Sequence, residues 1–371
     1  MSVDRLLEGR AICICAGSGG VGKTTTSAAI AMGMAAEGLK VAVLTIDPAK
    51  RLANSLGLPE LGNEERRVEP ERFADHGLEM EGELWAMMLD AKRTFDDLVE
   101  RHAPDERTRD AVLSNRIYQE LSNAVAGSQE YMAMEKLYEL HQEERYDLLV
   151  LDTPPTRNAL DFLDAPERLS RFVDSRSLQA FMRPGRLGLK VFGRGTGLLF
   201  SVLRRVTGVD LLEDLSEFFR SFGDMAQGFR ERAARVNELL ADRRTTFLLV
   251  TSPRRDAVDE AIFFHRRLRE RRMPFGGAVV NRMNMLAVEE DDPDEGELAE
   301  LLEEELGRKV ASNVRDYREL AIRDRENVER LANELGGSEP ILVPYLEDDV
   351  HDIRGLIEMN EYLFAADTVR A

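Results

Sequence analysis

The stretch CAGSGGVGKTTTSAAIAM, residues 15–32, holds the residue types that grip a polyphosphate. Gly17, Gly22, Lys23 and Thr24 fit the spacing G-x-x-x-x-G-K-[ST]. In such a loop, successive backbone N–H groups converge on anionic oxygens at the start of a helix. Glycine is needed wherever a Cβ would hold the backbone off the ligand. Gly19, Gly20, Val21, Gly22, Lys23, Thr24 and Thr25 are the candidate phosphate-binding residues. Lys23 would bring positive charge to the β- and γ-phosphates, and the Thr24 hydroxyl would ligate Mg²⁺. Two acids can complete the chemistry: Asp47 in VLTIDPAKRL and Asp152 in LLVLDTPPTRNALDFL each follow an apolar run. A carboxylate so placed can orient an attacking water beside the γ-phosphate or hold a water on Mg²⁺. Asp47 is also a residue type that caps a following helix. Asp152 is the expected Mg²⁺-linked acid, and the loop from Thr153 to Asn158 can sense the γ-phosphate. ATP and Mg²⁺ are therefore the expected ligands.

These side chains act together only if strands deliver them to one edge. Apolar, β-rich runs at Ala11–Ala16, Val41–Ile46, Leu84–Leu89, Leu148–Leu151, Thr246–Thr251, Gly276–Asn281 and Pro340–Val343 alternate with helical patterns. The alternation predicts an α/β fold, a mostly parallel sheet flanked by helices. Strands covered on both faces are expected to be hydrophobic almost throughout. The first run leads into the glycine loop and then a helix over about Thr24–Gly38, the context a phosphate loop requires. Asp47 then falls at the carboxyl edge of the sheet, where open α/β sheets bind ligands.

Residues 92–144 and 166–243 interrupt the alternation and read as helical. We take them as a helical subdomain inserted into a single domain spanning 1–371. Inside the second, Arg183–Val209 is rich in Gly, Leu, Val and Phe, and its cations outnumber its acids. It is either a loop with an amphipathic helix packed on its neighbours, or an apolar surface for a client helix or a membrane. Glu289–Glu305 carries eleven carboxylates in seventeen residues and reads as a solvated loop and helix with no assigned role.

Composition narrows the classes. A net charge of −19 argues against general nucleic-acid binding, which needs clustered cations. No apolar run approaches the ~20 residues of a membrane span, so any membrane contact is expected to be peripheral. Met1–Gly9 carries no secretory pattern, and the expected location is cytoplasmic. Cys13 and Cys15, two apart in a strand, point to one face and are expected to be small buried hydrophobes.

GSGGVGKTTTSAA, TIDPAKRL and DTPPTRNALDFL resemble the arsenite-pump and tail-anchored-protein-targeting ATPases, dimeric P-loop proteins of the signal-recognition/MinD-like class. The resemblance implies that Asp47 orients the attacking water, that Asn281 contacts adenine, and that Pro344 and Tyr345 flank the base. It makes Pro48 part of switch I and Thr153, Pro154 and Pro155 part of switch II. It also implies client-handling helices in the inserted segments. Members of the family carry a signature lysine at the place of Ser18, and it reaches the partner's nucleotide. A serine hydroxyl supplies no such charge. The expected partner is thus a second copy with slow turnover, or a lysine-bearing paralogue, which we prefer. Arg51 and Arg157 are candidate substitutes for the missing charge, and Arg254 falls where the family has a nucleotide-contacting Glu. The family's metalloid cysteines and C-x-x-C zinc clasp have no counterpart, which argues against arsenite extrusion. The leading expectation is an ATPase for hydrophobic client segments. Alternatives are an ATP-binding regulatory or scaffold subunit and a MinD-like positioning ATPase, the latter disfavoured by a C-terminus that is not basic.

Overall fold

Strand β1 (Ile12–Ala16), with the sequence ICICA, is buried along its whole length, as a strand covered on both faces must be. The computed structural model describes residues 2–47, 49–116, 118–119, 128–154, 163–168, 171, 211–285, 304–346 and 349–365. Among the described residues seven further strands join β1: β2 (Lys40–Thr45), β3 (Arg66–Arg67), β4 (Glu83–Met88), β5 (Leu148–Asp152), β6 (Thr245–Thr251), β7 (Phe275–Met283) and β8 (Ile341–Pro344). They form one sheet in the order β3-β4-β2-β5-β1-β6-β7-β8. Every neighbouring pair is parallel except β3–β4. All seven apolar runs become strands, with ends shifted by a residue or two. β3 has no apolar signature, because both of its arginines are exposed.

Cys13 and Cys15 are free and fully buried, and both belong to the apolar cluster between β1 and the helix Lys23–Ala36. That helix runs almost entirely through buried small residues and Met. Its N-cap, Gly22, has φ 93°, and no side chain caps it. The helices Ala91–His102, Glu106–Leu113 and Ile353–Leu363 differ, each having an Asp that accepts a first-turn N–H. The helix Arg255–Glu270 is likewise uncapped, but among the described residues only the glycine-loop helix starts at a positive-φ glycine on the cleft, where its first N–H groups can meet a ligand.

The chain divides into two compact units. The sheet belongs to residues 1–88, 144–159 and 241–371, and a second unit comprises 89–143 and 160–240. Helices Ala91–His102, Glu106–Leu113, Ser128–Gln142 and Leu211–Ala241 are described in the second unit. Phe95 stacks on Tyr118 with ring centroids 5.5 Å apart and packs on Phe229. Glu135, 2% exposed, accepts hydrogen bonds from Arg232 and from the Tyr131 hydroxyl. A buried carboxylate is tolerated only with such partners. Arg183–Val209, Arg157, Pro48, Pro155 and most of the Glu289–Glu305 run lie outside the described residues. Among the described residues, no helix is long and apolar enough to cross a membrane.

Candidate functional site

Parallel pairing of β1, β5 and β2 brings three strand ends together beneath the glycine loop. The register sets Asp152 opposite Cys15 on one side and opposite Thr45 on the other. Asp152 is 1% exposed. Its Oδ2 accepts from the hydroxyls of Thr24 at 2.7 Å and Thr45 at 2.8 Å. Its Oδ1 is buried with no hydrogen-bond partner. Burial pushes this carboxyl up to about 6, against the pull of the two hydroxyls and the Lys23 ammonium. Thr45 was not among the sequence candidates. Its signal is its place two residues before Asp47, and it becomes readable once β2 is known to pair with β5.

Lys23 is also buried, and its Nζ donates to the Ser18 carbonyl at 2.7 Å. Burial lowers its pKa, opposed by the nearby carboxylates of Asp152 and Asp47. The ammonium is thus held inside its own loop and poorly hydrated. The Ser18 hydroxyl is buried and unpartnered, so it is turned inward. Two glycines are demanded by close approach. A Cβ on Gly17 would lie 1.9 Å from the Val250 carbonyl oxygen, and one on Gly22 would lie 2.2 Å from the Asn281 amide nitrogen. That amide donates to the Val21 carbonyl at 3.0 Å, tying the end of β7 to the loop. The Val21 side chain itself sits in the core.

A cleft of about 590 Å³ opens above these residues. Gly19, Gly20, Gly22, Lys23, Thr24 and Thr25 form its floor; Asp47, Arg51 and Thr153 line one part, and Asn281, Arg282, Pro344 and Tyr345 another. Asp47 accepts the Ala49 N–H at 2.9 Å and lies 3.7 Å from the Arg51 guanidinium. It therefore shapes a turn and does not cap the helix Arg51–Ser55, whose N-cap is Lys50 at φ 55°. The Thr153 hydroxyl donates to the Cys15 carbonyl at 2.9 Å, which anchors the start of the loop after β5. Pro154 follows, half-buried. Tyr345 is 62% exposed at the rim. Arg254 instead is the N-cap of the helix Arg255–Glu270 and pairs with Asp256, and it is not among the residues lining the cleft.

The residues suit Mg²⁺. The ion takes one or two protein oxygens, with waters and substrate phosphates completing the octahedron. Thr24 offers a hydroxyl, and Asp152 an unpartnered buried oxygen. Among the described residues no set of three His, Cys, Asp or Glu could hold a metal alone, so an ion here depends on what the ligand brings.

The raised carboxyl yields a stability prediction. A folded-state value of about 6, above the unfolded value, means that the neutral acid is the form favoured by folding. Its stabilisation is full below the unfolded pKa and is lost as pH rises through about 6. Asp152→Asn removes the buried charge, so the nucleotide-free variant should be more stable at pH 7, by on the order of 3 kcal/mol. The gain should shrink as pH falls from 6 towards 4. Thermal melts across that range test it, and a variant less stable at pH 7 would refute it.

Known proteins show similarity along most of the chain. The family described as anion-transporting ATPase matches residues 10–317. The chain is 27% identical to the ATPase GET3 of Malassezia globosa, across 64% of this chain and 61% of that protein. The ATPase GET3 of Podospora anserina gives 27% identity, across 64% and 62%. A relative in Aquifex aeolicus, 27% identical across 67% of this chain and 57% of that protein, carries an arsenical-pump ATPase name. The chain thus spans about three-fifths of the length of the curated relatives it matches. With strand, glycine loop and uncapped helix in the matched region, the chain belongs to the anion-transporting ATPase family.

Proposed function

We propose that this chain is a Mg²⁺-dependent ATPase that acts as a dimer in the cytoplasm and couples its nucleotide state to the handling or targeting of hydrophobic, tail-anchored-like client segments. The observation that carries the ATPase reading is Asp152, buried, bonded to Thr24 through one oxygen and left with the other free, beside a buried Lys23 at an uncapped helix start. The client reading rests on the sequence resemblance and on the separate helical unit of residues 89–143 and 160–240.

Bound Mg²⁺ would offset charge on the β- and γ-phosphates. Thr24 and Asp152 are the residues that would hold the ion, Thr24 offering its hydroxyl and Asp152 its carboxylate. Lys23 exchanges the Ser18 carbonyl for phosphate oxygens, which is favourable because a poorly hydrated ammonium gains charged acceptors. Asp47 leaves the Ala49 N–H and turns to the attacking water. Asn281, Pro344 and Tyr345 hold the base, the exposed Tyr345 having surface to cover. Pro48, Thr153, Pro154 and Pro155 lie in the switch segments that pass the nucleotide state to the dimer.

Ser18 decides how the dimer works. Its hydroxyl is turned inward, so a self-paired chain has no second ammonium from this position, and turnover alone is slow. A paralogue with lysine there would restore the charge. A second reading, an ATP-binding regulatory subunit, is favoured by the same inward serine. The test is single-turnover hydrolysis of MgATP as a function of chain concentration, for wild type and Ser18→Lys, with calorimetric nucleotide binding alongside. The ATPase reading expects binding by both and a rise of at least about tenfold in the variant at concentrations that form dimers, charges of this kind being worth ~10³ or more. Intact binding with no gain supports the regulatory subunit. No binding by the wild type refutes both.

A further inference from the structure

Arg282 lies inside β7 with φ 61°, and among the described residues it is the only non-glycine strand residue at positive φ. Pairing between β7 and β8 becomes irregular between Val280 and Met283, around this residue. Strained backbone and sheet irregularities cluster where a side chain must be aimed at a ligand. Its N–H bonds the Asn281 Oδ1, which fixes the turn. The guanidinium reaches the cleft mouth, where Nη1 donates to the Gly20 carbonyl at 3.4 Å and Nη2 lies 3.8 Å from Asp349. Both separations exceed the ~2.7–2.9 Å of a strong charged hydrogen bond. Arginine's planar fork suits phosphate oxygens far better than one carbonyl and a distant carboxylate.

Resting on the nucleotide reading above, we propose that Arg282 is a nucleotide-binding residue whose guanidinium engages the α- and β-phosphates of a bound nucleoside di- or triphosphate. Position sets this assignment. Asn281 and Arg282 contact the carbonyls of Val21 and Gly20, on the side of the loop that faces Pro344 and Tyr345. Asp152 binds Thr24, at the other end of the loop. The guanidinium therefore meets the glycine loop at Gly20, on the side where the end of β7 adjoins Pro344 and Tyr345. It gives the cleft a further cation from its own chain, beside Lys23 and Arg51.

Arg282→Gly tests the idea cleanly, because glycine suits positive φ and the variant should fold at least as well as the wild type. Calorimetry would compare Mg-ATP, Mg-ADP and, by competition, adenosine. The Kd for both nucleotides should rise about 10- to 100-fold, the range for losing a charged hydrogen bond. Adenosine should bind as before, the nucleotide-free melt should not fall, and Arg282→Lys should recover part of the loss. Nucleotide Kd values within about twofold of wild type would overturn the proposal, as would an equal loss for adenosine or a loss confined to ATP. A wild type that binds ATP and ADP while the variant is unaffected sinks only this assignment; a wild type that binds neither sinks the nucleotide reading as well.

Discussion

Replacing Lys23 by alanine should lower single-turnover hydrolysis of MgATP by about 10³-fold or more, the scale of a charge placed on a transferring phosphoryl group. Among the described lining residues Lys23 is the only lysine, and it is buried with its ammonium donating to the Ser18 carbonyl. Such a group gives little to the nucleotide-free fold, because its lost hydration offsets its attraction to Asp152. Melting of the nucleotide-free variant should thus change little, whereas the rise in melting temperature on adding ATP should disappear. That rise measures binding to the folded state alone. Rapid-quench assays with scanning calorimetry read both quantities. A variant that keeps within tenfold of wild-type turnover would contradict the role given to this residue.

Asp47→Asn should act with a different signature. Asparagine keeps an oxygen to accept the Ala49 N–H at the position now 2.9 Å from Asp47, so the turn survives. What it loses is the negative charge beside Arg51, the charge proposed to orient the attacking water. Turnover should fall by about 10²–10⁴-fold, the usual contribution of general acid–base groups. ATP affinity should stay level or increase, since one anion fewer confronts the phosphates. Weaker binding and slower turnover in equal measure would mean that Asp47 merely shapes the cleft. The opposed effects on affinity at Lys23 and Asp47 make the pair of variants more informative than either alone.

Much of this arrangement was readable from the chain because it is local. The glycine loop, its strand and its helix are contiguous, and each apolar strand advertises itself by burial on both faces. What could not be read is whatever depends on which strands become neighbours. Thr45 meets Asp152 only because β2 and β5 pair, and nothing near residue 45 signals a partner 107 positions away. The Asn281 amide reaches Val21 across 260 residues, a contact the family resemblance hints at by role but no spacing rule supplies. Arg282 was missed for another reason. Its backbone conformation is the clue, and arginine has no sequence preference for positive φ. β3 was missed since two exposed arginines give no apolar signal, although they pair with β4 and Arg67 also meets Glu83 of that strand.

The central place of β1 has a consequence for how the polypeptide is made. This strand precedes both of its flanking partners in the chain, which are encoded about 135 and 230 residues later. At translation speeds of ~5–20 residues per second, the second neighbour emerges roughly ten to fifty seconds after β1. Through that interval an apolar segment with two open edges waits without its sheet, the kind of exposure that invites aggregation. A protein proposed to shelter hydrophobic segments of others therefore begins life as a nascent chain in need of the same shelter.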